Sequence, residues 1–338
     1  MDYLDAFNPS YADLEAADQR LQGHAVVTPL LESPLLNDQL GGRLLVKAEC
    51  LQRTGSFKFR GAFNAISKHM DQGGGPVVAF SSGNHAQAVA EAARLHNIQA
   101  SIVMPADAPA PKIANTRALG GEVILYDRYT EDRAAIAGQI ATERGATIIP
   151  PFDHPDIIAG QGTLGMEIAR QCNERHIEPD FLLVPCSGGG LSAGCAIAAD
   201  YAMAGTQVRT VEPENFDDFA RSLTAGKRQD NSGDQRSCCD ALLVPQPGAL
   251  TFPILQALYD VGVVGAGLRV SDAAALQAVA VAFRAFKIVV EPGGAVALAA
   301  VLSGALDITG ATVVVVCSGG NIAADLFIQA ITENPAIT

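Results

Sequence analysis

Phe181-Leu182-Leu183-Val184-Pro185-Cys186-Ser187-Gly188-Gly189-Gly190-Leu191 passes from a short apolar run, through consecutive glycines, into a small-residue stretch from Ser192 to Ala204. An apolar run of this length, closed by turn-forming residues, suits a strand covered on both faces. Consecutive glycines let backbone N–H groups converge on an anion, and the dipole of the following helix favours its negative charge. A nucleotide-binding loop would add Lys and Ser/Thr after the glycines, or space them as in a dinucleotide fold, and this stretch does neither. The plainer alternative is a tight strand-to-helix turn that simply requires glycine.

The same arrangement occurs twice more. Pro76-Val77-Val78-Ala79-Phe80 leads into Ser81-Ser82-Gly83-Asn84-His85 at the start of a helical stretch through Asn97. Hydroxyls, an amide and free N–H groups at a helix start suit a carboxylate, and they exceed what an ordinary cap needs. Thr312-Val313-Val314-Val315-Val316 is followed by Cys317-Ser318-Gly319-Gly320-Asn321. Ligands bind beyond the carboxyl ends of strands in open α/β sheets, so Ser318 is placed to face a cleft, where it could bond a heteroaromatic nitrogen; otherwise it is a turn hydroxyl.

Strand patterns near 43–48, 76–80, 99–104, 122–127 and 146–149 alternate with helical patterns near 57–69, 84–97, 110–119 and 131–144, as in parallel α/β folds. A second series starts at 180–185. Linkers are expected at Pro150-Pro151 and in the polar stretch Gln229 to Ser237. Lys58, within Ser56-Phe57-Lys58-Phe59-Arg60-Gly61-Ala62, has the small-residue, partly apolar setting that lowers an amine pKa and suits a nucleophile.

Taken together, Ser56–Ala62, Ser81–His85, Ile158-Ala159-Gly160-Gln161-Gly162-Thr163, Ser187–Gly190 and Ser318–Asn321 resemble the fold type II pyridoxal-phosphate enzymes, tryptophan synthase β-like in fold. The resemblance is closest to the threonine/serine dehydratase and serine racemase branch and runs from about Thr28 to about Asn321. It implies two open α/β domains with pyridoxal 5'-phosphate between them: residues 1–51 and 150–338 form the large domain, 52–149 the small one. It further implies that Lys58 carries the cofactor, Phe57 packs on the pyridine ring, Asn84 bonds the ring hydroxyl and Glu291 stands near the ring. Ser187, Gly188, Gly189, Gly190 and Leu191 would hold the phosphate, Ser318 the ring nitrogen, and Ser81, Ser82, Gly83, Asn84 and His85 the substrate carboxylate. Many relatives have glycine at Ser187, and often glycine where this chain has Ala241.

The activity implied is conversion of a β-hydroxy-L-amino acid, threonine or serine, to a 2-oxo acid and ammonia, with Lys58 as general base. Ser82 resembles the racemase-like and hydroxyaspartate-dehydratase-like members, so a 3-hydroxyaspartate dehydratase or a serine/aspartate racemase is the alternative. A β-replacement enzyme is a weaker match, because Thr-Ser-Gly-Asn-Thr would be expected in place of Ser81–His85. A non-catalytic amino-acid-binding protein is the reading from another class, and the intact Lys58 argues against it. Glu212-Pro213-Glu214-Asn215-Phe216-Asp217-Asp218 reads by itself as an acidic helix start; the resemblance makes Glu212, the Phe216 carbonyl and Asp218 ligands for Mg²⁺ or Ca²⁺.

The 338 residues suggest roughly two domains, and 49% hydrophobic content is ample for a large core. A net charge of -13 disfavours nucleic acid or an anionic membrane as partner. No apolar run approaches a membrane span, and the acidic start Met1-Asp2-Tyr3-Leu4-Asp5 is unlike a signal peptide, so the cytoplasm is expected. No regulatory module is expected after Asn334, and the assembly expected is a homodimer. Seven cysteines without zinc-ligand spacing suit reduced thiols. Cys186 and Cys317 read as small buried residues, and His154 as a turn residue. Arg133, at a helix start, is a further residue that could reach a second substrate carboxylate.

Overall fold

The computed structural model describes residues 8–334 except 109 and 234, with the side chain of 111 also left aside; the acidic start at 1–5 lies outside the described residues. Ten strands are formed: β1 (Leu30–Glu32), β2 (Arg43–Lys47), β3 (Val77–Phe80), β4 (Ala100–Pro105), β5 (Glu122–Tyr126), β6 (Thr147–Ile148), β7 (Phe181–Pro185), β8 (Gln207–Pro213), β9 (Leu268–Val270) and β10 (Thr312–Val316). They make a six-stranded sheet of order β1-β2-β10-β7-β8-β9 and a four-stranded sheet of order β5-β4-β3-β6. Among the strand pairs of the described residues, only β1–β2 is antiparallel. Thus the chain is a mixed α/β protein on two parallel sheets, with both of its ends contributing to the larger one.

β10 is flanked by β2 and β7, with Val314 opposite Leu45 on one side and Leu182 on the other. Covered on both faces, it has no polar alternation; Val313 to Val316 are all fully buried, and stiff β-branched side chains fit that pleated setting. The helix Lys58–Asp71 instead repeats Phe59, Ala62, Phe63 and Ile66 on one face, and these meet Val77, Ala79 and Ile102 of the smaller sheet in one core cluster. Helix Pro155–Glu174 starts on His154, whose Nδ1 accepts from the Asp156 N–H at 3.2 Å, with proline at the first position. His154 is therefore a helix cap, not merely a turn residue.

Close helix approach explains the motif Ile158–Thr163. A Cβ on Gly160 would lie 2.5 Å from the Arg60 carbonyl oxygen, so the helix carrying Lys58 rests directly on this backbone. Beside that contact is a buried charge cluster. Arg60 donates to both oxygens of Glu49 at 2.8 and 2.7 Å and to Glu167 at 3.0 Å. Lys47 Nζ donates to Glu167 at 2.5 Å and to the Thr28 carbonyl at 2.8 Å. Two cations face two carboxylates with the oxygens further satisfied by Thr28, the condition under which burying such charges is tolerated. The cluster ties β2 and the helices Lys58–Asp71 and Pro155–Glu174 together two residues from Lys58.

Among the described residues, no helix is long and apolar enough to cross a membrane.

Candidate active site

A cavity of about 210 Å³ is lined by the segments that follow β3, β7 and β10, together with Phe57, Lys58 and Glu291. The structure therefore brings to one place Lys58, Ser81 to His85, Ser187 to Leu191 and Ser318, which are far apart in the chain. Lys58 opens its helix and donates from Nζ to the Pro151 carbonyl at 2.8 Å, with the Phe57 ring centroid 4.9 Å from the amine. Desolvation pushes the amine down to about 8, against the opposing pull of Glu291. An amine so shifted has a far larger neutral fraction near physiological pH than an ordinary lysine, and the neutral form is the one a nucleophile or base requires.

The strongest anion seat is the glycine loop. None of the backbone N–H groups of residues 187–192 donates to a protein acceptor among the described residues, although Cys186 and Ala193 on either side do. Gly189 has φ 90°, and a Cβ there would lie 2.4 Å from the Phe219 ring, so both conformation and space demand glycine. The loop is braced from behind: Thr251 Oγ1 donates to the Gly188 carbonyl at 2.5 Å, while the Asp153 carboxylate accepts from the N–H groups of Ala249, Leu250 and Thr251. Ser192 Oγ is buried at the cavity wall without an oxygen or nitrogen partner among the described residues, the Cys186 thiol lying beside it. Open donors at a helix N-terminus together with an orphaned hydroxyl fit a phosphate.

Ser81 to His85 form a second seat. The N–H groups of Ser82, Asn84 and His85 have no protein acceptor among the described residues, whereas Gly83 N–H is bonded to Ser81 Oγ at 3.2 Å. His85 contributes its backbone rather than its ring, because Nε2 donates to the Ile149 carbonyl at 2.8 Å. Burial, and then the nearby Lys58 charge, depress the imidazole to about 3, which keeps it neutral. Asn84 joins a chain that the sequence did not disclose: its amide donates to Glu291 at 2.5 Å and its oxygen accepts from Asn321 at 2.7 Å, leaving one amide hydrogen uncommitted. Burial first, and Asp240 second, push the Glu291 carboxyl up to about 7. Ser318 lines the cavity with its backbone held on both sides, its N–H by the Gly294 carbonyl and its own carbonyl by the Phe57 N–H.

The remaining wall is Asp240 to Val244. Lys112 reaches across from the helix Ala110–Ala118 to Asp240 at 2.7 Å, joining the parts of the chain that carry the two sheets. Arg133 lines the cavity with its guanidinium 5.5 Å over the Phe80 ring, without a carboxylate partner among the described residues. Lys112, Asp240, Asn321, Ser192 and Phe152 were not singled out from the sequence as site residues; only the glycine-asparagine run at 319–321 carried a local signal for one of them.

Glu212, Phe216 and Asp218 lie outside this cavity. Glu212, next to last in β8, is fully buried, and its two oxygens accept from the Phe219 and Ala220 N–H groups at 2.9 and 2.8 Å, so the helix-start reading of this acidic run is present in the structure. Asp218 Oδ1 accepts from Asn231, but its buried Oδ2 has no partner among the described residues, and burial pushes this carboxyl up to about 6.

A family model described as "Pyridoxal-phosphate dependent enzyme" matches residues 21–319. An L-threo-3-hydroxyaspartate ammonia-lyase of Saccharomyces cerevisiae is 41% identical over 93% of this chain and 94% of its own length. An L-threonine ammonia-lyase of Thermotoga maritima is 38% identical over 92% of this chain and 75% of its own. The maize serine racemase structure superposes with a TM-score of 0.86 at 34% identity, covering 95% of this chain and 96% of that one. A phosphate-sized N–H cradle facing a neutralisable lysine is what pyridoxal phosphate requires, and the chain belongs to the family of pyridoxal-phosphate dependent enzymes.

Proposed function

We propose that this protein is an ammonia-lyase that converts a β-hydroxy-L-amino acid, threonine or serine, to a 2-oxo acid and ammonia. The observation that carries the reading is the pairing of the Lys58 amine, depressed to about 8, with the open N–H groups of residues 187–192 in one cavity. Pyridoxal phosphate, when bound, supplies the electron sink for the substrate α-carbon. Lys58 then removes the α-proton as general base, and the β-hydroxyl leaves as water. The N–H groups of Ser82, Asn84 and His85 hold the substrate carboxylate at the helix start, where the dipole favours its charge. The enamine released hydrolyses to 2-oxo acid and ammonia.

A second reading has its own observation. Arg133, unpaired at the cavity wall, would match a substrate bearing a second carboxylate, and one of the relatives acts on 3-hydroxyaspartate. Bidentate geometry makes arginine the usual partner for such a group. For the cation, the partnerless Asp218 Oδ2 beside the buried Glu212 fits a hard divalent ion, with Phe216 offering its carbonyl. Release of 2-oxo acid from L-serine, L-threonine and the 3-hydroxyaspartate isomers, measured with and without EDTA, tests these statements together. Turnover on L-serine or L-threonine is expected, with lower turnover and melting temperature after chelation. Arg133→Ala should lower kcat/KM for 3-hydroxyaspartate alone. Equal losses on every substrate would remove Arg133 from substrate choice, and indifference to EDTA would remove the metal.

Ser82 is proposed as a proton donor to the α-carbon from the side opposite Lys58. In Ser82→Ala, exchange of the α-proton of D-substrates with solvent deuterium should be lost, while dehydration of the L-amino acid largely persists, since that reaction needs only Lys58. Unchanged D-exchange accompanied by loss of L-dehydration would place Ser82 on the wrong side.

A further inference from the structure

Cys238 and Cys239 are adjacent, and their Sγ atoms lie with a carboxylate oxygen of Asp272 within 4.8 Å of one another. We infer that Cys238, Cys239 and Asp272 form a site for a thiophilic divalent cation of the Zn²⁺ class, separate from the cofactor cavity and from the carboxylates of Glu212 and Asp218. Two thiolates tetrahedrally bound to zinc at about 2.3 Å stand roughly 3.8 Å apart, so closure from the present spacing requires only side-chain adjustment of about 1 Å or less. A disulfide between these two residues is the poorer use of the same thiols. Neighbouring Cα atoms across a trans peptide are about 3.8 Å apart, below the roughly 4.4 Å that unstrained disulfides need.

The surroundings are those of a supported site. Cys239 is buried while Cys238 and Asp272 remain partly exposed, which leaves an approach for the ion from solvent. The Asp272 carboxylate is oriented by Ser237 Oγ at 2.5 Å and by the Cys238 N–H at 2.9 Å, and Ser237 Oγ in turn accepts from the Cys239 N–H at 3.1 Å. Both thiols and the hydroxyl that orients the carboxylate therefore come from one tripeptide. The carboxylate belongs to the first residue of the helix Asp272–Val281. Two sulfurs and one oxygen leave a position for water, a soft-and-borderline ligand set that selects Zn²⁺ over Mg²⁺ or Ca²⁺. Immediately after Cys239 the chain becomes the cavity wall Asp240 to Val244, so an ion here fastens that wall to the helix.

The test uses the holoenzyme with Cd²⁺ as probe, because sulfur-to-cadmium charge transfer absorbs in the ultraviolet whereas an all-oxygen site gives no such band. A saturable band at one Cd²⁺ per chain is expected, competed by Zn²⁺ and absent in Cys238→Ser. Ser237→Ala should weaken Zn²⁺ binding about 10–100-fold, as loss of an orienting partner does. In the unaltered protein, Zn²⁺ should also shield Cys238 from alkylation and slow hydrogen exchange across residues 237–244, readouts that stand even should a variant fail to fold. No band, a band that survives in Cys238→Ser, or unaltered alkylation of Cys238 under saturating Zn²⁺ would overturn the inference.

Discussion

Lys58→Ala is expected to lose both the visible absorbance of the cofactor-loaded protein and essentially all turnover. The amine is the one primary amine in the cavity that is free of a carboxylate partner among the described residues, since Lys112 is paired with Asp240. Its desolvated setting holds it at about 8, whereas His85 is depressed to about 3 with its Nε2–H committed to Ile149, and Glu291, at about 7, is tied to the Asn84 amide. Removal of a positioned general base alone slows a reaction by about 10²–10⁴-fold, and loss of the covalent anchor adds to that. The rate with unaltered protein should rise as pH passes upward through about 8, because the neutral amine is the reactive form. Wild-type turnover in Lys58→Ala would sink the assignment, and an unshifted pH profile would show that another base acts.

Arg60→Met should produce the largest loss of stability of any single change near the site, about 3–5 kcal/mol, the range found when one partner of a buried ion pair is removed. Glu49 and Glu167 would then face each other with only Lys47 between them. Burial pushes the Glu49 carboxyl up, but the Arg60 and Lys47 charges outweigh it and hold the group below its ordinary 4.5. A carboxyl lowered in the folded state contributes stability that is present above 4.5 and fades as pH falls through the folded value. The gap between Arg60→Met and the unaltered protein should therefore be widest near neutrality and narrow in acid. Denaturant unfolding at several pH values measures it, and a gap below about 1 kcal/mol at pH 7 would mean the cluster is relaxed by water or by loss of charge. Because the Arg60 side chain ties this helix to Glu49 and Glu167 only two residues from Lys58, the same change should also loosen the seat of Lys58 and weaken cofactor retention.

The anion seats were legible because their chemistry is carried by the backbone. Every helix start leaves N–H groups open, but only small and conformationally free residues let an anion approach them closely, so Ser187 to Gly190 and Ser81 to Asn84 announce themselves locally. Lys58 was legible for a related reason, as a cation among small and apolar neighbours. The far wall was not. Asp240 meets Lys112 across a separation of 128 residues, and nothing local marks either. The link from Asn321 through Asn84 to Glu291 is likewise made only by folding. Lys47 reads as the polar end of a strand, yet it is fully buried, because its three partners arrive from Thr28, Glu167 and Gln171. The turn of π-helix at Ala282–Phe286 had no sequence signal either, since its residues suit an ordinary helix.

Phe219 gives the protein a mechanical link between the acidic pocket and the glycine loop. The residue follows Asp218 directly, and its ring occupies the space behind Gly189, where even one added carbon would come within 2.4 Å. A ring so confined acts as a strut, and displacement at the acidic pocket is expected to emerge as displacement of the glycine loop. Were the proposed cation to bind at Glu212 and Asp218, its loading and that of the cofactor would be linked by an energy term equal in both directions. For the proposed cation, the amount needed for half-saturation should then differ between cofactor-free and cofactor-loaded protein by the same factor by which the ion alters cofactor affinity.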